Sequence, residues 1–238
     1  MTKRIAMWSG PRNLSTAMMY SFAQRADSKV VDEPFYAAYL AKTGLPHPMA
    51  VEVMNSQPQD PFVVEQSLIS SIDAEVHYQK HMCQHMIDGM PRDWMAEVTN
   101  VFLIRHPARV IASFAKQIPN PTAQDIGFEA QVDLFNHCVA LGQSPVVVDS
   151  FDIRQNPEVL LKALCGALKL SFNPDMLSWS PGGNPADGVW APVWYDAVHA
   201  SAGFAGMEGR LPNLQTSHQI NLLDETLPFY ELMAAQKL

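Results

Sequence analysis

Short apolar runs alternate along this chain with longer stretches in which apolar residues recur at helical spacing. Runs of this kind that stop at Gly, Pro or a polar cluster are typical of strands buried on both faces. Such strands belong to parallel sheets, because the crossover helices cover both sides of the sheet. The pattern therefore predicts a three-layer, doubly wound parallel α/β sheet, with strands near residues 3–8, 29–33, 75–79, 99–105 and 145–149.

The segments between these runs carry helical periodicity. Two of them also contain helix-start signals, namely Pro107 at a first-turn position and the Asn156-Pro157 pair. Helices are predicted over residues 13–25, 62–73, 108–117, 127–142 and 156–168.

The region 180–218 departs from this alternation and is rich in Gly, Pro, Trp and polar residues. It predicts an irregular C-terminal lobe, which we expect over the carboxyl ends of the strands, where this architecture binds ligands. A length of 238 residues with 47% hydrophobic content is compatible with one large core. We therefore expect a single domain over residues 1–238.

Composition limits the partners. A formal net charge of −8 argues against general affinity for nucleic acid, which depends on Lys and Arg. No apolar stretch reaches the length of a membrane span or a signal-peptide core, so we expect a cytoplasmic protein without a membrane partner. The three cysteines have no CxxC spacing, which argues against a disulfide framework or a Cys-type zinc site. Whether the chain forms a homo-oligomer is left open.

The loop "SGPRNLST" at residues 9–16 joins the first predicted strand to the first helix. A helix start offers unpaired N–H groups to an anion, and Arg12, Ser15 and Thr16 can add a guanidinium and two hydroxyls. The Gly-Lys pair of a triphosphate-binding loop is missing. The alternative is that Gly10-Pro11 simply makes a turn before an ordinary helix.

A second segment, "RHPARVIAS", repeats this arrangement after the fourth strand. Arg105 follows the buried run directly, and Arg109 lies one helical turn before Ser113, so both can face one side. A basic residue at the carboxyl end of a strand is placed to meet a second anionic group. The alternative for any single Arg is a surface ion pair.

Taken together, "PRNLST" and "RHPARVIAS" resemble the two signatures of sulfotransferases that use 3′-phosphoadenosine 5′-phosphosulfate (PAPS). In that family the first loop, Pro-Lys/Arg-Ser-Gly-Thr-Thr, holds the 5′-phosphosulfate. An Arg followed eight residues later by a Ser binds the 3′-phosphate. The resemblance implies a P-loop NTPase-like fold of the sulfotransferase type, with PAPS as donor. Arg12, Ser15 and Thr16 would hold the 5′-phosphosulfate, and Arg105 and Ser113 the 3′-phosphate.

The resemblance extends through residues 146–179 and 187–204, with two departures. Asn13-Leu14 replace the small Ser-Gly of the first loop, and Asn13 is counted with the predicted donor site. The Arg-Lys-Gly triplet that the cytosolic branch uses on the 3′-phosphate is missing. Arg210 is the only Lys or Arg between Lys169 and Lys237.

Sulfuryl transfer needs a base for the acceptor's proton and cations for the leaving phosphate. Some bacterial members use the Glu of a Glu-Pro segment after the second strand, so the resemblance makes Glu33 the first-choice base. The alternative is a solvated Glu at the start of the following helix. Arg12 and Lys80 would supply the cationic charge. The cytosolic branch has Lys-Thr-His after its third strand, and here Lys80 is followed directly by His81, the second-choice base.

If the segment after Lys80 were helical, His81, His85 and Asp88 would share one face, like a two-His, one-carboxylate metal site. The HExxH pattern is missing, and a solvent-facing or substrate-lining role is favoured. We expect no metal, because Arg and Lys can neutralise a single bridging phosphate.

The leading hypothesis is therefore transfer of a sulfuryl group from PAPS to a hydroxyl or amine of a small-molecule acceptor. One alternative is a nucleotide-dependent, kinase-like phosphotransferase on the same fold. Another is a non-catalytic homologue that only binds an anion or nucleotide. The sequence does not identify the acceptor, because variable loops build acceptor pockets in such folds.

Overall fold

The computed structural model describes residues 2–238 and has a five-stranded sheet at its centre. The strand order is β2-β3-β1-β4-β5, and every neighbouring pair is parallel. The predicted doubly wound parallel sheet is confirmed. The strands are β1 (Lys3–Ser9), β2 (Ser28–Asp32), β3 (Val76–Met82), β4 (Thr99–Ile104) and β5 (Val146–Asp149).

Helices cover both faces of this sheet. Three additional 3₁₀ turns lie at Cys83–His85, Asp93–Glu97 and Pro174–Leu177. The α-helices are α1 (Ser15–Ala23), α2 (Tyr36–Thr43), α3 (Ala50–Ser56), α4 (Pro61–Ile69), α5 (Pro107–Phe114), α6 (Ala123–Ile126), α7 (Phe128–Ala140), α8 (Ser150–Gln155), α9 (Pro157–Ala167), α10 (Ala191–Trp194), α11 (Asp196–His199) and α12 (Ser217–Ala234).

The central strand explains why the apolar runs are continuous. Side chains alternate between the two faces of a strand. Ile5 and Met7 pack into the apolar cluster on one face of the sheet, and Ala6 and Trp8 pack into the cluster on the other face. All four are fully buried, so β1 has no solvent-facing side on which polar residues would be placed.

The predicted helix ranges do not include α2, α3, α6, α8, α10, α11 or α12. The last of these is 18 residues long but buries only Leu222, Thr226 and Met233, which leaves little apolar periodicity to detect. Strand β3 also extends through Met82, three residues beyond its predicted end. None of the helices within residues 2–238 has the length and apolarity to cross a membrane.

Candidate active site

A cavity of about 360 Å³ lies at the carboxyl ends of the central strands. The loop after β1 lines one side, and residues between 190 and 205 of the C-terminal lobe line another. Lys80 near the end of β3 and Arg105 just after β4 also reach it. The lobe thus lies where the sequence placed it, over the edge of the sheet at which doubly wound folds bind ligands.

In the loop between β1 and α1, the backbone at Gly10 lies too close to the backbone of Ile126 for a residue with a Cβ atom. A Cβ atom at Gly10 would lie 2.5 Å from the carbonyl oxygen of Ile126, so only glycine fits there. Arg12 and Leu14 adopt left-handed backbone conformations, with φ of 63° and 74°. No side chain caps the N-terminus of α1. The N–H groups of its first turn are therefore left beside the cavity without a capping partner, which is the arrangement that binds anions.

Asn13 connects this loop to the sheet. Its Nδ2 donates a 3.2 Å hydrogen bond to the carbonyl oxygen of Leu103 on β4, and the residue is 1% exposed. This hydrogen bond fastens the loop to the sheet. Asn13 also lines the cavity and therefore stays among the predicted donor-site residues.

The two predicted anion motifs meet at Arg12 and Ser113. The Nε of Arg12 donates a 3.0 Å hydrogen bond to the Oγ of Ser113 on α5, and the guanidinium also lies 3.4 Å from the carbonyl oxygen of Trp194. Burial, and secondarily the positive charge of Arg105, lowers the pKa of Arg12. Ser15, Thr16 and Arg105 line the same cavity, so the structure brings the predicted donor-site residues together.

Arg105 belongs to an arginine cluster, formed by Arg105, Arg109 and Arg154, around the carboxylate of Glu208. Arg109 Nε is 2.9 Å from Glu208 Oε2, Arg154 is 2.8 Å from Oε1, and Arg105 donates to Oε1. The Glu208 side chain is 1% exposed. Arg105 also donates a 2.6 Å hydrogen bond to the carbonyl oxygen of Arg12. Three cations to one anion leave the cluster with excess positive charge, although the whole chain is acidic.

Glu33, Lys80 and Tyr195 also line the cavity and, together with Asp32, form an acid–lysine cluster. Lys80 Nζ donates to Asp32 at 2.8 Å, to Glu33 at 2.5 Å and to the Tyr195 hydroxyl at 2.6 Å. The Tyr195 hydroxyl is 2.8 Å from Asp32 Oδ2. Since an ammonium group has three donors, these partners use all of them. Lys80 therefore holds Glu33 in place and has no free donor for a leaving group.

Burial and neighbouring charges together shift the pKa values of Asp32 and Lys80. Desolvation, and secondarily the charge of Glu33, raises the pKa of Asp32 despite the attraction of Lys80. Desolvation by itself would lower the pKa of Lys80, but the two carboxylates outweigh it and raise that pKa. Lys80 is therefore protonated at neutral pH, and it stabilises carboxylate charge at a buried position.

His85 is the histidine of this segment that lines the cavity. Its ring stacks between those of Tyr36 and Tyr39, with centroid distances of 4.7 and 4.8 Å. Its Nε2 is 4.0 Å from Glu33 Oε2, and its buried Nδ1 has no hydrogen-bond partner among residues 2–238. Burial, and secondarily the charge on His47, depresses its pKa well below the usual value. A neutral imidazole thus lies beside the carboxylate of Glu33.

His81, the second-choice base, lies elsewhere. It belongs to β3, where successive side chains point to opposite faces, so Lys80 and His81 cannot both face the cavity. The His81 ring stacks on Trp8 at 4.4 Å in the apolar layer and is 1% exposed. Because His81 is on a strand, the helical face that it would share with His85 and Asp88 does not form. The favoured solvent-facing or substrate-lining role fits His85, which lines the cavity, but not the buried His81.

The sequence analysis did not identify several residues of this site. Some of them have a sequence feature that could have indicated their role, and others have none. Asp32 adjoins Glu33 at the carboxyl end of β2, and Arg154 follows β5 on α8, so both carried a positional signal at a strand end. Tyr195 and Glu208 lie in the irregular lobe, where no local pattern distinguishes them. Only the tertiary fold brings them to their partners.

The chain is similar in sequence to a known protein family and to two named plant proteins. The sequence model of a family described as "Sulfotransferase domain" matches residues 3–237. Two Arabidopsis thaliana proteins, named branched-chain-amino-acid aminotransferase-like proteins 1 and 2, are 37% and 34% identical to this chain over 230 residues. These matches cover 96% of this chain but 41% of each relative, so the chain spans about two fifths of their length.

Solved structures with the same fold are also sulfotransferases. The sulfotransferase domain of the Synechococcus PCC 7002 olefin synthase aligns over 94% of each chain with a TM-score of 0.53 and 16% identity. Mouse sulfotransferase SULT7A1, solved in complex with PAP, aligns over 99% of this chain and 87% of its own with a TM-score of 0.51 and 11% identity. The family expected from the two signature motifs is confirmed by the match to its sequence model. The chain belongs to the sulfotransferase domain family.

Proposed function

We propose that this protein transfers a sulfuryl group from PAPS to a hydroxyl or amine of a small acceptor. The observation that carries the proposal is the contact between Arg12 and Ser113, which joins the two motifs beside an uncapped helix start. One motif alone fits any small anion. Two motifs in contact fit a ligand with two separate anionic groups, as PAPS has.

The donor's 5′-phosphosulfate would lie against the first turn of α1. Its N–H groups, the hydroxyls of Ser15 and Thr16 and the guanidinium of Arg12 supply donors for that end. Arg105 and Ser113 would take the 3′-phosphate. Arginine charge can then neutralise the bridging phosphate, so the proposal includes no metal.

Glu33 is the proposed base. Its Oε1 is held by Lys80, while Oε2 lies near His85 on the cavity side. The acceptor's proton would pass to Glu33 as the acceptor oxygen or nitrogen forms its bond to sulfur. The bond between sulfur and the 5′-phosphate oxygen then breaks, and its electron pair remains on that oxygen, which Arg12 stabilises. Lys80 is assigned a positioning role, since its three donors are occupied within the acid–lysine cluster.

His85 is a second candidate for the base. It is neutral, lines the cavity and keeps its Nδ1 without a partner in the described part of the chain. A neutral imidazole can accept a proton, and Glu33 would stabilise the imidazolium that forms. The stacking of His85 between two tyrosines supports a fixed orientation for this role.

Titration calorimetry with 3′,5′-adenosine bisphosphate (PAP), ATP with Mg²⁺ and inorganic sulfate tests the proposal. We expect PAP to bind most tightly, and the double variant Arg105→Ala/Ser113→Ala to lose that binding. Lys162→Ala is a control, because this exposed cation contacts Glu158 and the Phe172 ring and does not line the cavity. Preference for ATP–Mg²⁺ would favour the kinase-like alternative, and absence of PAP binding would overturn the proposal.

Transfer itself is tested with sulfur-labelled PAPS and a panel of small alcohols, phenols and amines. We expect label to appear on at least one acceptor class. A protein that binds PAP but transfers label to none of them, nor to water, would correspond to the non-catalytic alternative.

A further inference from the structure

Glu208 occupies a position that the donor would need. Arg105 is the residue assigned to the 3′-phosphate, yet in this structure it donates to the buried carboxylate of Glu208. We propose that the Glu208 carboxylate is an internal substitute for the 3′-phosphate, which the nucleotide must displace from the arginine cluster in order to bind. This inference rests on the proposed function, because it assumes that the nucleotide binds at this site.

The chemistry of the cluster matches a phosphate better than it matches a single carboxylate. Guanidinium groups form paired hydrogen bonds with carboxylates and phosphates alike. Arg105, Arg109 and Arg154 together carry three positive charges against the one negative charge of Glu208. The Nε of Arg105 is buried and has no acceptor among residues 2–238. A dianionic phosphate with three terminal oxygens would balance more of the charge and supply the missing acceptor.

The segment that carries Glu208 is attached in a way that permits release. We call residues 205–210 the strap. Within the described residues, its hydrogen bonds run to the arginine cluster: Arg154 donates to the carbonyl oxygens of Ala205 and Gly206 at 3.2 and 3.0 Å, and Arg109 donates to that of Gly209. Apart from Glu208, every strap residue is exposed. Besides the Glu208 ion pairs, the described residues therefore hold the strap through Arg109 and Arg154, the same arginines that a bound phosphate would engage.

The residues just before the strap are held by backbone contacts with Ser178 and Trp179. The backbone at Gly203 pairs with Ser178 in an isolated bridge, and Trp179 donates a 3.2 Å hydrogen bond to the carbonyl oxygen of Ala202. A Cβ atom at Gly206 or Gly209 would meet nothing within 4 Å, so both glycines lie in open space. The strap can thus move about Gly206 and Gly209 while the lobe before Gly203 stays in place.

Glu208 would have two effects of opposite sign. Without it, three partly buried guanidinium groups would repel one another, so the carboxylate stabilises the unliganded protein. With it, only the fraction of molecules whose carboxylate has left can bind the nucleotide, which weakens the apparent affinity. A residue that merely orders the arginines for a ligand would instead strengthen binding. The two roles predict opposite changes in affinity on substitution.

The test compares PAP binding to the wild-type protein and to Glu208→Gln. We expect the variant to lower the dissociation constant for PAP at least tenfold and to leave binding of 5′-AMP, which has no 3′-phosphate, unchanged. The same variant should have a lower Tm without ligand. Glu225→Gln is the matched control, since Glu225 is an exposed acid on α12. An unchanged or raised dissociation constant in Glu208→Gln would overturn the inference.

A second measurement needs no variant. Arg210, at the end of the strap, is exposed and is a trypsin site. Displacement of Glu208 predicts that PAP accelerates tryptic cleavage after Arg210 in the wild-type protein, whereas 5′-AMP does not. Protection of Arg210 by PAP would contradict it. If the wild-type protein binds no PAP, the proposed function fails as well; if it binds PAP and protects Arg210, only the inference about Glu208 fails.

Discussion

Arg12 and Ser113 are 101 residues apart in the chain, and a 3.0 Å hydrogen bond joins their side chains. One follows β1 and the other lies on the helix after β4. Because β1 and β4 are neighbours in a parallel sheet, the elements that follow them emerge at the same edge. The two anion motifs therefore form one site, and the behaviour of variants at this contact tests how the site functions.

Arg12→Lys should lower kcat about 10²–10³-fold, which is the cost of removing one preorganised donor from a developing charge. A lysine lacks the planar guanidinium fork with which Arg12 can bond Ser113 through Nε and present its other nitrogens to a leaving phosphate. Steady-state kinetics with PAPS measures the effect. Lys162→Ala should behave as the wild type, and a wild-type kcat in Arg12→Lys would exclude the assigned role.

Glu33→Gln should lower kcat about 10²–10⁴-fold while the dissociation constant for PAP stays near its wild-type value. The amide keeps the shape of the carboxylate but cannot take the acceptor's proton. Calorimetry and turnover measured on the same preparation separate the two quantities. If transfer by Glu33→Gln proceeds at the normal rate, the base is elsewhere and His85 becomes the first residue to test.

The two histidines near Lys80 provide a matched pair. His85→Asn should lower kcat, because His85 lines the cavity beside Glu33. His81→Asn should lower stability but leave kcat per folded molecule unchanged, because His81 packs on Trp8 away from the cavity. Turnover normalised to the folded fraction from circular dichroism distinguishes them. The reverse pattern would contradict the placement of β3.

Gly10→Ala should destabilise the protein by about 1–3 kcal/mol, because the added methyl would overlap the backbone oxygen of Ile126. It should also weaken PAP binding, since the same loop carries Arg12. Gly166→Ala is the control: nothing lies within 4 Å of a Cβ atom at this position on α9, so alanine should add about 0.5–1 kcal/mol of stability. Urea unfolding of both variants checks these signs.

His77 should make the free energy of unfolding fall as the pH is lowered below about 6.5. Burial, and secondarily the charge of Arg4, lowers the pKa of His77 to about 4, whereas the unfolded chain titrates near pH 6.5. Between these values the unfolded state binds more protons, so stability falls as pH decreases from about 6.5 towards 4. The loss from one such group approaches about 1.4 kcal/mol per pH unit.

The difference in unfolding free energy between wild type and His77→Gln isolates this contribution. It should shift with pH between 7 and 5, the wild type losing more stability on acidification than the variant. Equal slopes for wild type and His77→Gln would contradict the lowered pKa.

The sequence predicted the sheet well because β1, β4 and β5 are mostly buried and contain continuous apolar runs. It predicted α12 and the end of β3 poorly. Helix α12 buries too few residues to show a periodicity. The end of β3 is a run of polar residues, Gln79 to His81, that are buried by partners from elsewhere in the chain. Polar residues give no local signal for a buried strand.

By itself, then, the sequence determined the succession of strands along the chain, five of the helices and the two anion motifs, since those depend on local patterns that each segment carries. The tertiary structure decided which of the polar groups share the cavity. Lys80 and His81 are successive residues of β3, so Lys80 faces the cavity and His81 faces away from it. The C-terminal lobe brings Tyr195 into contact with Lys80 and Glu208 into contact with Arg105. These contacts join residues more than one hundred positions apart, and only packing of the whole chain sets distances of that kind.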